Sequence, residues 1–167
     1  MQTQPDWTEG FTPLGPRRTE VVFAVEHIGA VWKHMDVVRR HYDEIAQFKD
    51  VQKLDPDFEA YDRLEKTGKL WVMTARSEGE FIGYIVMMIT TDLHYRKMLR
   101  ALEDIHFILP EHRKGLLGYK MLARTVEEMR AKGVQTITFR TKADQSHGVL
   151  FERLGGVLHD LVYTIVT

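Results

Sequence analysis

The sequence predicts an α/β (α+β) fold: a mixed, mostly antiparallel central sheet with helices on both faces. Three observations carry this. From residue 19 onward, β-branched and aromatic runs alternate with helically spaced apolar patterns. Residues 69–91 read as two strands joined by the turn Ser77-Glu78-Gly79-Glu80, which makes an antiparallel hairpin. Residues 102–141 read as strand, helix, strand, a crossover that adds a parallel pair to the sheet.

Residues 1–18 hold three of the five prolines (Pro5, Pro13, Pro16) and two glycines, and are read as an irregular lead-in. Residues 19–167 are expected to form a single domain, with a first strand over 19–25. Ile28, Val31, Trp32, Met35, Val38, Tyr42, Ile45 and Phe48 trace one apolar face and predict a long helix over 27–49. Asp55-Pro56-Asp57 starts a second helix, 58–66, capped by Asp55 or Asp57 and stopped by Gly68. Strands follow at 69–76 and 81–91; Gly83 inside the second marks a bulge or a close backbone approach. Residues 94–101 read as a basic connection, with Arg96, Lys97 and Arg100 as solvated surface. The remaining expectations are a helix ended by Gly133, a strand over 134–141, a short helix over 144–154, and closing strands at 157–159 and 161–166.

The net charge of −1 gives no field that would attract a polyanion, so nucleic acid is not expected as a partner. Cysteine is absent, which excludes disulfides, a cysteine nucleophile and thiolate metal sites. There is no signal-like N-terminus and no apolar run long enough to span a bilayer, so a cytoplasmic protein without a membrane partner is expected. His27, His34 and His41 recur every seventh residue. At ~1.5 Å rise per residue they stand about 10 Å apart, too far to share one metal ion, and no metal site is expected from them.

The most informative stretch is 102–122. Ile105, Phe107 and Ile108 belong to a strand that Pro110 terminates. Arg113-Lys114-Gly115-Leu116-Leu117-Gly118 follows, and then Leu117, Met121, Leu122, Val126 and Met129 recur at helical spacing. A glycine loop feeding a helix N-terminus is suited to an anion, because unpaired amides and the positive end of the helix dipole both face it.

This segment resembles the acyl-CoA motif Q/R-x-x-G-x-G/A of the GNAT N-acetyltransferase superfamily. Arg113 and Gly118 match; the middle glycine stands one place early, at Gly115, with Leu116 in its place. Leu150-Phe151-Glu152-Arg153-Leu154-Gly155-Gly156 resembles the late helix of that family, Leu-Tyr-Glu-Lys-Leu-Gly-Phe, with Phe151 where a proton-donating tyrosine is frequent. The resemblance implies acetyl-CoA as acyl donor. Amides of Arg113, Lys114, Gly115, Leu116, Leu117 and Gly118 would hold its pyrophosphate; Phe107, Ile108 and Leu109 would pair with its pantetheine arm, and Tyr119 and Phe151 would also contact the cofactor. It implies transfer to a primary amine, on a small molecule or a protein lysine, by direct attack, and homodimers are common among such proteins.

Leu102-Glu103-Asp104-Ile105 is similar to the Leu-Glu-Asp strand of spermidine/spermine acetyltransferases, which makes Glu103 the candidate base. As a strand residue alone, Glu103 reads equally as a solvated end charge or an ion-pair partner. By alternation Asp104 takes the opposite face, and His106 is read as a packed histidine sharing that face. With Phe151 unable to donate a proton, Tyr119, Tyr163 and His147 are the candidate acids by chemical type, Tyr119 foremost. Tyr42 and Glu44, late on the long helix, are candidate acceptor-binding residues. The alternative reading is a catalytically weak protein of the same fold that acts by binding a protein partner, through the surface around Tyr95 to Arg100.

Overall fold

The computed structural model describes residues 20–143 and 147–166; the expected lead-in lies outside the described residues. In chain order the elements are β1 (Val21–Val25), α1 (Gly29–Trp32), α2 (Met35–Ile45), α3 (Phe58–Lys66), β2 (Leu70–Ser77), β3 (Glu80–Thr91), β4 (Leu99–Ile108), a 3-10 turn (Pro110–His112), α4 (Leu117–Ala131), β5 (Thr136–Thr138) and α5 (Gly148–Arg153). The sheet order is β1-β2-β3-β4-β5. All pairs are antiparallel except β4 and β5, which are joined by the α4 crossover.

The central strands are apolar on both sides because helices cover both faces. Val72, Tyr84, Val86 and Phe107 pack towards Val31, Val37 and Val38 of α1 and α2, with Tyr61 and Leu64 of α3 beside them. Trp71, Met73, Ile85 and Met87 pack towards Met121, Leu122 and Met129 of α4, with Leu150, Phe151 and Leu154 beside them. Asp57 caps α3, its carboxylate accepting from Ala60 N at 2.8 Å.

The predicted long helix is interrupted. His34 leaves helical geometry (φ −118°, ψ 50°) and its ring stacks on Phe81 with centroids 4.4 Å apart, so one turn, α1, is offset from α2. The helix ends at Ile45, where Ala46 turns extended and the Tyr42 hydroxyl donates to Gln52 O at 2.7 Å. The three histidines consequently have three environments: His27 is exposed, His34 is stacked and His41 is buried.

The closing strands expected at 157–159 and 161–166 do not form. Residues 157–166 are irregular, and Leu161, Val162 and Tyr163 are exposed. Apolar β-formers make a strand only where a neighbour completes the ladder, and the described sheet ends at the three-residue β5.

Gly83 marks both features its position predicted. A bulge between Ala75 and Arg76 leaves Ile82 as the extra residue of β3. A Cβ on Gly83 would stand 2.6 Å from Phe107 O and 3.0 Å from Ile108 Cα, both backbone atoms of β4. Gly83→Ala is therefore expected to destabilise the fold by about 1–3 kcal/mol, the usual range for overpacking. Urea unfolding at neutral pH measures it.

Candidate active site

The site grows from a second bulge, in β4. Val86 pairs with Ile105 but Met87 pairs with Glu103, so Asp104 is the extra residue. A bulge resets alternation. Glu103 lies opposite Met87 and His106 opposite Ile85, on the face that α4 and α5 cover. Asp104 stays on the other face, where its carboxylate accepts from the Tyr61 hydroxyl at 2.5 Å. The expectation that His106 shares the face of Asp104 is thus corrected: the extra residue moves His106 across the sheet to join Glu103.

Glu103 is buried, 6% exposed. Its Oε1 lies 2.6 Å from His106 Nδ1, and its Oε2 accepts from the Arg140 backbone N–H at 2.7 Å. The Arg140 guanidinium donates to the Glu103 carbonyl at 2.6 Å. β4 and β5 pair only from Arg100 to Leu102, so these contacts close the point where the strands part. A carboxylate only accepts, so His106 donates from Nδ1 and its Nε2 is left as an acceptor in the neutral ring. The His106 side chain is 26% exposed. Its ring stands edge-on to Phe151 at 6.5 Å and to His147 at 6.2 Å. Phe151 itself stacks on Phe139 at 5.2 Å. Burial and the nearby charges of His106 and Arg113 lower the pKa of His147, which favours its neutral form.

Above the divergence, Leu109 N donates to Ile82 O at 2.8 Å, fixing the end of β4 against β3. Gly115 has φ +68°, the left-handed conformation that favours glycine, so the early glycine serves the turn that enters α4. No side chain caps α4 and its first turn carries no acidic residue. Among the described residues outside α4, a Cβ on Gly118 would find only Leu150 Cδ1, at 3.9 Å, an ordinary contact that leaves room at the helix start. Lys114 and Leu116 are exposed, while Leu117 and Tyr119 are half-buried. Tyr119 makes none of the hydrogen bonds to Glu103 described above.

Arg113 braces this loop. Its Nε donates to Ile108 O at 2.7 Å, its two terminal nitrogens reach Glu44 at 2.5 and 2.8 Å, and its guanidinium lies 5.1 Å over the Phe107 ring. Arg40 and Glu111 form a second bidentate pair, of opposite sense, at 2.9 and 2.8 Å. The loop and α2 are thereby tied twice. Glu44 is held below the usual carboxylate range by Arg113, so its charge is already met, and Tyr42 is committed to Gln52. Beneath them His41 stacks on Phe107 at 4.5 Å and its Nδ1 lies 2.8 Å from the Tyr84 hydroxyl. Burial, first of all, pushes the pKa of His41 down to about 4.

Sequence reasoning reads His106 as a packed histidine and does not single out Arg140 or the His41–Tyr84 pair. Their arrangement depends on a bulge and on contacts between residues 37 to 43 positions apart, which leave no local pattern.

The model of the acetyltransferase (GNAT) family matches residues 35–155, most of the chain. The chain belongs to this family. No curated protein matches it. Among solved structures, this GNAT protein is similar to the ribosomal-protein-alanine N-acetyltransferase of Brucella melitensis biovar Abortus 2308, with TM-score 0.66 and 12% identity over 89% of this chain and 99% of that one. It is similar to an aminoglycoside acetyltransferase from an uncultured soil metagenomic sample, with TM-score 0.67 and 11% identity over 89% and 98%. A predicted acetyltransferase with acetyl-CoA from Clostridium acetobutylicum gives TM-score 0.65 and 10% identity over 88% and 96%. At these identities the likeness shows the fold, a mixed five-stranded sheet with helices on both faces. Among the described residues no helix is long and apolar enough to cross a membrane.

Proposed function

We propose that this GNAT protein is an acetyl-CoA-dependent N-acetyltransferase that acetylates a primary amine, on a small molecule or a protein lysine, by direct attack. The observation that carries the reading is the parting of β4 from β5 at Glu103, with the same strand leading through a 3-10 turn and a left-handed glycine to an uncapped helix start. In this reading the amides from Arg113 through Lys114, Gly115, Leu116 and Leu117 to Gly118 and Tyr119 take the pyrophosphate, as helix N-termini take anions. The outer backbone edge at Phe107, Ile108 and Leu109 receives the pantetheine amides in the manner of an added strand. Arg113, occupied by Glu44 and Ile108 O, shapes the loop and leaves phosphate contact to the backbone and Lys114.

The amine nitrogen attacks the thioester carbonyl carbon, the carbon–sulfur bond breaks, and the ammonium proton leaves to a base. Glu103 is the carboxylate of that base system. Tyr119, on the first turn of α4, is the proton donor to the departing thiolate, because Phe151 has no proton to give. Tyr42 and Glu44 flank the acceptor side, where an incoming cation meets Glu44 only by sharing it with Arg113.

Calorimetry with acetyl-CoA tests the donor assignment. One site per chain with micromolar affinity is expected. An absence of binding up to millimolar concentration contradicts the reading and favours a GNAT-fold protein that works by contacting a partner.

A further inference from the structure

We infer that His106 is a catalytic residue of this protein: its Nε2 takes the amine proton, and Glu103 is the positioning carboxylate behind it. The inference rests on the N-acetyltransferase reading above and deepens it. It starts from the way Glu103 is held. Both carboxylate oxygens are engaged, one by His106 and one by the Arg140 backbone, and the group is 6% exposed. Neither oxygen is presented to an incoming amine. The outward-facing member of the pair is the imidazole, at 26% exposure.

The bulge at Asp104 is what makes the pair. Without the extra residue, positions 103 and 106 would point to opposite faces of the sheet; with it, the side chains meet at 2.6 Å. The Nδ1–H bond to the carboxylate fixes the tautomer that leaves Nε2 as acceptor, and it stabilises the imidazolium when it forms. Arg140 completes the arrangement by holding the carboxylate and the β4 carbonyl at the point of divergence. The titratable groups coupled to His106 are His147, on the approach to α5, and His41, on α2; Arg113 and Glu44 act in turn on both of these, and Lys142, beyond β5, on His41. Of these, His41 is buried and bonded to Tyr84, while Arg113 and Glu44 are paired with each other. His147 stands edge-to-face with the His106 ring at 6.2 Å and also feels the charge of Glu103.

The step balances. The nitrogen–carbon bond forms, the carbon–sulfur bond breaks, the N–H proton moves to Nε2, and the imidazolium returns it to bulk water through its exposed edge. The thiolate takes its proton from Tyr119, which recovers one from water. The amide and the free thiol leave with no net change in the enzyme.

The test uses the whole chain and follows thiol release with acetyl-CoA and an amine panel against pH. In the wild type kcat/KM rises with pH along an ascending limb that reports the free enzyme's base. His106→Ala is expected to lower kcat about 100-fold or more, the usual contribution of a positioned base, with acetyl-CoA affinity unchanged. Added imidazole restores part of that rate, which a merely structural role would not allow. Glu103→Gln keeps a hydrogen-bond acceptor but loses the charge, so kcat falls while the histidine limb of the profile persists. Wild-type kcat in His106→Ala overturns the inference, as does a reduced rate that retains the limb and ignores imidazole. If the wild type releases no thiol with any amine, the acetyltransferase reading itself fails and the inference falls with it.

Discussion

Gly118→Glu should weaken acetyl-CoA binding at least about 100-fold, or about 3 kcal/mol, while the protein stays folded. The two effects separate because of where Gly118 lies. It stands in the first turn of α4, and among the described residues outside that helix its Cβ would meet Leu150 Cδ1 alone, at ordinary contact distance, 3.9 Å. A glutamate there sits at the positive end of the helix dipole, which stabilises a helix by about 0.3–1 kcal/mol. The melting temperature should hold or rise slightly. The same carboxylate occupies the space proposed for the pyrophosphate and repels it. Gly118→Ala, which adds only the methyl group, should lose far less affinity. Calorimetry on the three proteins decides the matter; wild-type affinity in the glutamate variant places the phosphates elsewhere.

A second large effect is acid sensitivity through His41. In the unfolded chain this histidine titrates near its ordinary value, about 6.5; in the fold it is pushed down to about 4, chiefly by burial. Between those values the unfolded state holds a proton that the folded state refuses. Stability therefore rises with pH across the window and is lost as pH falls through it. The full window is worth about 3 kcal/mol, with about 2 of that lost between pH 7 and 5, above the range where carboxylates titrate. Urea unfolding of wild type and His41→Gln at pH 7 and pH 5 measures it. The glutamine variant should be less stable at pH 7, having lost the stack on Phe107, but it should lose much less between the two pH values. Equal losses in both proteins would mean that His41 is not the group responsible.

The fold was legible in the sequence where signals are local. The β2–β3 hairpin follows from apolar runs around Ser77 to Glu80, α3 from Asp57 and Gly68, and α4 from the spacing of Met121, Leu122, Val126 and Met129. The break at His34 was not legible, because the apolar face runs through it unbroken; what divides the helix is the stack on Phe81, a residue of β3. The closing strands failed for the converse reason: residues 157–166 have the composition of strands, but the structure describes no partner ladder for them.

The same division runs through the site. Gly115, Gly118 and the strand before them announce the loop by their order alone. Glu103 was picked out by resemblance, yet its environment depends on one extra residue in β4 that shifts His106 to its side. Glutamate and histidine three apart in a strand read as strangers on opposite faces. Only the register against Met87 and Ile85 makes them a pair. Arg113 is assigned by resemblance through its backbone amide alone; that its guanidinium braces the loop through Glu44 and Ile108 O is a long-range contact with no local signature.

The proposed transfer of an acetyl group from acetyl-CoA to an amine takes place where β4 and β5 part beside Glu103. Thiol release with acetyl-CoA, with and without polyamines, aminoglycosides, amino acids and lysine peptides, tests it most directly. Steady release that depends on at least one amine class is expected, with the acceptor gaining the mass of one acetyl group. Release that stays at the no-amine rate with every acceptor, from a folded protein that binds acetyl-CoA, would contradict it.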